Sequence, residues 1–409
     1  MRAAATCDVA LGVLFVGLAS ASACSSSGPP SPLGGPGAAG ASMTAGAAGA
    51  PVVVTGAAGA ADQPTTDAGD AADEPAGGDS TEATDAIVAG DAPRGPSYSI
   101  TVAPTAGCGM DAGQAPGETV AYTIATSGTK PATCADTACG PWMYTRQYFV
   151  TLPAGYDANK PYALVFEGTG CGGTGANVYP LNSLNTPPIG NNVDDTVIRV
   201  GLTPPPSAIG HATRPNQGCY DYADGDNSVD WVFYEALHDH LAGQLCFDTN
   251  RVFVVGNASG GAPFANELGC KYAGDAKHPI RGMMSNSGGM PSDAPVPVTC
   301  SSNPMAGMWV AQTGDTSAPF SNVETAVARA MKVNGCTLGT GFKDAPSENF
   351  PIGGGNPDAT CKRILGCPAL TPLVVCAIPG NQHSSNDRVA NPGFCAFIKP
   401  LENPPLLNQ

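Results

Sequence analysis

The sequence predicts an α/β domain, a mostly parallel sheet covered by helices, preceded by a long stretch that cannot fold on its own. Two observations predict the sheet. Short apolar runs alternate with stretches of helical periodicity from residue 144 onwards, the pattern of strands joined by crossover helices. The polar residues of interest fall just after those runs, where open α/β sheets carry their sites. A third observation isolates the leading stretch: no aromatic residue occurs between Phe15 and Tyr98.

Along the chain, Arg2, the apolar run Val9 to Leu18 and the small residues Ala19 to Ala23 read as a signal peptide over residues 1–23. The run is too short to span a membrane, which takes about 20 apolar residues. Ala21-Ser22-Ala23-Cys24 fits two processing routes. It resembles a bacterial lipobox, with Cys24 becoming the lipid-bearing N-terminus of an outer-membrane or cell-surface protein. It equally fits an Ala-x-Ala cut that releases a secreted chain. Residues 24–97 are nearly all Ala, Gly, Ser, Thr, Pro and Asp. Such a composition buries too little apolar surface to offset ordering entropy, and a disordered tether is expected.

Charge and cysteine content narrow the classes further. The net charge is −16, which opposes nucleic-acid binding, since phosphates call for Lys and Arg. Nine acidic residues lie between Asp62 and Asp91, before the first lysine, Lys130, so much of the charge belongs to a solvated tail. Fifteen cysteines occur without a C-x-x-C pair or zinc-type Cys/His spacing, which predicts a disulfide-bonded exported domain. Removing Cys7 and Cys24 leaves an odd number. Cys395, in Phe394-Cys395-Ala396-Phe397, reads as a buried apolar position and is the candidate thiol.

The domain itself is expected over residues 98–405. Tyr144 to Leu152 roughly alternates apolar and polar residues, a half-buried strand. Tyr162 to Phe166 is continuously apolar, a strand covered on both faces, and runs into Gly168-Thr169-Gly170-Cys171-Gly172-Gly173. Thr196 to Leu202 reads as another strand. Val229, Val232, Phe233, Ala236, Leu237 and Leu241 share one helical face. Arg251 to Val255 is a buried strand followed at once by Gly256-Asn257-Ala258-Ser259-Gly260-Gly261. A helix follows, with Pro263 expected in its first turn. Gly307 to Ala311 is a strand before Asp315, Val323 to Val333 a helix, and Leu373 to Ile378 a strand before His383.

A glycine-bracketed residue on a sharp strand-to-helix turn is the place of a nucleophile in G-x-S-x-G proteins. Here that residue is Ala258, which cannot attack a carbonyl. Asp315 and His383 follow in the order acid, then histidine. In such a set the histidine takes the nucleophile's proton and the acid fixes its tautomer. The backbone N–H of Ser259 and a second N–H near Cys171 would form the oxyanion hole. A frame shifted by one residue would make Ser259 the nucleophile instead. His238 and His240 stand two apart on a helix, point to different sides, and read as surface residues, not a metal site. His211, in a loop upstream of Cys219, fits either the lining of the cleft or a structural role, and the structural role is the expectation. No cofactor and no metal are expected.

These motifs together resemble the secreted polyhydroxybutyrate-depolymerase and feruloyl-esterase-like branch of the α/β-hydrolases, over most of residues 144–401. The resemblance rests on the run Arg146 to Pro153, Gly170-Cys171-Gly172-Gly173, Phe247-Asp248-Thr249-Asn250-Arg251-Val252, Gly307-Met308-Trp309 before Asp315, and Gly380 to His383. It implies a triad at position 258, Asp315 and His383. Two positions depart from the family: Ala258 replaces the serine, and Thr169 stands where His commonly precedes Gly-Cys. Two functions therefore stay open. One is a hydrolase of polymer-derived or plant-derived esters outside the cell, working by acyl transfer to serine and then water. The other is a binding or surface protein that keeps the hydrolase pocket without turning its ligand over.

Overall fold

Buried, β-branched and aromatic runs dictate the centre of the molecule. In the computed structural model the described residues are 53–55, 101–130, 140–177, 197–205, 218–221, 228–289, 303–339, 341–352, 359–383 and 386–402. The expected signal peptide, Cys24, most of the tether and His211 lie outside them. The described residues belong to one unit, Ala50–Gln409. Among them, no helix is long and apolar enough to cross a membrane.

Eleven strands form one sheet: β1 (Val53–Thr55), β2 (Thr119–Lys130), β3 (Gly140–Thr151), β4 (Tyr162–Gly168), β5 (Val197–Leu202), β6 (Phe247–Asn257), β7 (Gly282–Asn286), β8 (Ala306–Gln312), β9 (Ser347–Asn349), β10 (Thr360–Ile364) and β11 (Leu373–Ile378). Their order is β1-β2-β3-β5-β4-β6-β7-β8-β11-β10-β9. The six strands from β5 to β11 in that order are mutually parallel. Antiparallel strands flank them, β2 and β3 on one side, β10 and β9 on the other. Within the stretch expected to be a tether, Val53–Thr55 pairs in parallel with β2.

Period-two alternation divides the core between the two faces of the sheet. Leu164 and Phe166 of β4 join Val252, Val254 and Trp309 in a cluster with helices α1 (Val229–Ala242), α2 (Ala258–Tyr272) and α3 (Phe320–Asn334). Ala163 and Val165 join Phe253, Val255, Met308 and Val374 in a second cluster, closed by Val389, Phe394 and Ile398 of α4 (Asp387–Glu402). Ser228 caps α1, its side chain accepting the Asp230 N–H. Gly335 ends α3 in the left-handed conformation that a glycine adopts without strain. Arg146 of β3 is buried, pairs with Asp230 of α1 and lies over the Phe233 ring at 3.8 Å. A buried ion pair of this kind ties strand to helix in one geometry.

Disulfides join Cys108 to Cys246, Cys171 to Cys219, Cys336 to Cys367 and Cys361 to Cys376. Cys270 is also disulfide-bonded. Cys395 is a buried thiol in α4, as its apolar neighbours suggested. Two expectations need correcting. His238 is 2% exposed, not a surface residue: α1 is covered on more than its apolar face, because Phe247 and the loop carrying His278 close over it. Pro263 lies in the second turn of α2, because the helix starts at Ala258 itself.

Candidate active site

The elbow is built by crowding. Strand β6 ends at Asn257, and Ala258 opens α2 with φ +55°. That left-handed backbone costs an L-residue about 1–2 kcal/mol. It is one of two such non-glycine positions among the described residues. A side chain at Gly256 would collide with the Gly261 carbonyl. A Cβ at Gly260 would lie 2.8 Å from both the N and the Sγ of Cys171, and one at Gly170 3.1 Å from the Ala258 Cβ. Ala258, not Ser259, is the left-handed residue at the turn from β6 into α2, with Gly256 and Gly260 on either side. Ser259 is the next residue of α2, about 100° further round the helix axis; its side chain lies outside the described residues.

Asp315 lies beyond the end of β8 and is 4% exposed. Its Oδ1 accepts the N–H groups of Ser317 at 2.8 Å and Ala318 at 3.0 Å. Its Oδ2 lies 2.8 Å from Nδ1 of His383, beyond the end of β11. Burial alone would raise the Asp315 carboxyl. The Ala318 N–H, the His383 ring and the Ser317 N–H outweigh it and hold the group below the usual carboxylate value. The two loops are joined directly, Gly314 N–H to the Gly380 carbonyl at 2.7 Å. With Nδ1 donating to the carboxylate, Nε2 is left as the basic nitrogen. That nitrogen is buried and has no hydrogen-bond partner among the described residues.

The glycine-rich loop faces the start of α2. Cys171 is bound to Cys219, the Gly172 N–H donates to the Gly218 carbonyl at 3.0 Å, and the Thr169 N–H donates to the Tyr220 hydroxyl at 3.2 Å. Tyr220 in turn donates to the Leu202 carbonyl and stacks on Phe264 of α2, centroids 4.2 Å apart. The Cys171 N–H and the Ser259 N–H therefore belong to two chain segments packed together at a helix N-terminus. Such an end has unpaired donors and a positive dipole, and suits an anion.

A chain of buried amides links these parts, and the sequence reading missed it. Asn257 Nδ2 donates to the Gly168 carbonyl at 3.3 Å, and its Oδ1 accepts from Asn286 Nδ2 at 3.0 Å. Asn286 Oδ1 accepts the Asn386 N–H at 3.2 Å. Asn386 Nδ2 donates to the Ser287 hydroxyl at 2.8 Å, and its Oδ1 accepts from Gln312 at 3.3 Å. Gln312 Oε1 accepts the Gln382 N–H at 2.9 Å. Ser287 is the other non-glycine residue with positive φ, 59°. The signal was Ser285-Asn286-Ser287-Gly288-Gly289 after Met283-Met284, a strand followed by a glycine turn. A small, partly open pocket lies elsewhere, lined in part by Asn266, Met305, Trp309 and Arg329, and touches none of Ala258, Asp315 or His383.

No family model and no curated protein sequence matches the chain. Solved structures of esterases do. A CE1 ferulic acid esterase from Anaeromyces mucronatus, in complex with ferulic acid, is 15% identical with a TM-score of 0.38, covering 69% of this chain and 92% of that one. A Bacillus cereus carboxylesterase is 14% identical with a TM-score of 0.32, covering 46% and 81%. At these scores the assignment rests on the chain's own topology. The parallel run β5-β4-β6-β7-β8-β11, the antiparallel β3 beside it and the elbow after β6 give this chain an α/β-hydrolase fold.

Proposed function

We propose that this chain is an exported protein that binds an ester, or the acid derived from one, in an ester-hydrolase site lacking its nucleophile, and that it hydrolyses weakly or not at all. The observation that carries the reading is the backbone of Ala258. A left-handed φ of +55° between two glycines whose Cβ atoms would clash supports reading position 258 as the nucleophile corner. A methyl group there offers neither a proton to His383 nor an oxygen to a carbonyl carbon.

The remaining residues keep roles consistent with ester chemistry. Asp315 would hold the His383 ring in one tautomer and stabilise its charged form. The N–H groups of Cys171 and Ser259 would receive a carboxylate or a carbonyl oxygen. With a serine at position 258, His383 would take its proton, the tetrahedral oxyanion would sit on those N–H groups, and the acyl-enzyme would be released by water. Ligands of this class are polymer-derived or plant-derived esters outside the cell. The disulfides support an oxidising compartment. Lipidation of Cys24, with the residues between it and the strand Val53–Thr55 as a spacer, is the attachment we favour. A mature N-terminus bearing acyl groups by mass spectrometry supports it, and a free Cys24 amine means release.

The experiment is a comparison of the natural chain with Ala258→Ser and Ser259→Ala on a short-chain aryl ester, alongside labelling by a serine-reactive phosphonate. Gain of hydrolysis and of labelling at position 258 is expected, with Ser259→Ala close to the natural chain. A healthy natural activity that Ser259→Ala abolishes, with Ser259 labelled, would overturn the reading.

A further inference from the structure

We infer that His238, Asp239 and His278 form a binding site for a zinc-type divalent cation, remote in sequence from the elbow, acid and histidine loops. One ligand atom from each of the three residues lies within 4.8 Å of the others. Two imidazoles and a carboxylate suit zinc and its neighbours, and do not suit calcium or magnesium, which take oxygen sets. Zinc holds such ligands at about 2 Å, so its donors stand roughly 3.3 Å apart in a tetrahedral set. His278 Nε2 and Asp239 Oδ1 already stand at 3.0 Å, and the Asp239 side chain, 51% exposed, is free to adjust.

A second, independent observation points to a ligand. His238 is 2% exposed, and neither of its ring nitrogens has a hydrogen-bond partner among the described residues. Buried polar atoms in native proteins are almost always satisfied, and an orphan calls for an ion or a water. The ring is wedged between Tyr234, Phe247 and His278, its centroid 5.1 Å from that of His278.

The rest of the site is already assembled. His278 Nε2 lies 3.0 Å from Asp239 Oδ1. The His278 backbone is fixed at both ends, its N–H on Asp275 at 2.7 Å and its carbonyl on the Tyr234 hydroxyl at 3.1 Å. Such outer contacts orient a ligating histidine. Asp239 Oδ2 holds the Lys277 ammonium at 2.9 Å. Lys277 is 70% exposed, so this cation can leave and let a metal take its place on the carboxylate. The bound ion would clamp the last turn of α1 to the segment between α2 and β7.

The test uses the full chain without a histidine tag, stripped with a chelator and titrated with Zn²⁺ alone by calorimetry and thermal melting. One zinc per chain and a raised Tm are expected. Asp239→Asn, a near-isosteric change on a half-exposed side chain, and His278→Gln should each weaken binding by at least about tenfold. Lys277→Ala should leave it equal or tighter, because a competing cation is gone. His383→Ala should keep it. No binding by the natural chain, binding that Asp239→Asn leaves unchanged, or binding lost in His383→Ala would overturn the site.

Discussion

His383 Nδ1 lies 2.8 Å from Asp315 Oδ2, while Nε2 of the same ring is buried without a hydrogen-bond partner among the described residues. In the proposed reading this pair is half of a proton relay, and position 258 carries a methyl group where the other half would stand. Introducing Ala258→Ser should raise aryl-ester hydrolysis by at least about 10²-fold. In that background Asp315→Asn should remove most of that gain in kcat, because the wrong tautomer results. Steady-state rates of the single and double variants check both. A serine variant indifferent to Asp315→Asn would mean that the pair does not serve position 258.

The two sides of the elbow should respond oppositely to small changes. Gly256→Ala forces a Cβ into the Gly261 carbonyl and should cost about 2–4 kcal/mol. Ala258→Gly relieves a left-handed alanine, offset by the greater freedom of glycine when unfolded, and should be neutral or stabilising by up to about 1 kcal/mol. Urea unfolding with disulfides intact measures both. A destabilising Ala258→Gly would contradict the strain assigned to this corner.

Acid should find His238. Its ring is held down to about 4 by burial, then by His278, against an ordinary value of about 6.5. The unfolded chain therefore binds the extra proton between those values, and stability falls as pH falls. The contribution is complete above about pH 6.5 and lost as pH drops towards about 4, up to about 3 kcal/mol. Chelator-treated protein should show this in Tm against pH, and His238→Leu should flatten that part of the curve. An unchanged profile in His238→Leu would place the acid sensitivity elsewhere.

Asn386→Ala removes a side chain that serves Ser287 and Gln312 at once. Leaving buried partners unsatisfied should cost about 1–3 kcal/mol. In the Ala258→Ser background it should also lower kcat more than it changes KM, since the loop bearing His383 loses its anchor. A stability loss with kcat intact would make Asn386 structural only.

Much of this site could be read in the chain because its parts sit at the ends of apolar runs. Val252 to Val255 between Arg251 and Gly256 announces β6 and its turn, and Leu373 to Ile378 leads to His383. Other parts were hidden for physical reasons. β7 has five residues, and its Ser285-Asn286 half looks like a loop until neighbours on both sides pair with it. α4 carries Pro392 and Pro400, which argue against a helix locally; burial of Val389, Phe394 and Ile398 against the sheet overrides them. His238 was misplaced because helical spacing says which residues lie opposite each other, not how many faces the surroundings cover.

The chain of amides from Asn257 through Asn286 and Asn386 to Gln312 has a dynamic consequence. Gly168, the elbow, the β7 turn and the histidine loop share hydrogen bonds that cannot be broken one loop at a time. The site should open as one cooperative unit, in the manner of a foldon. The amide protons of Asn386, Gln382 and Ser287 would then exchange with deuterium at a common rate and slow together when a ligand binds, although they lie on different segments of the chain.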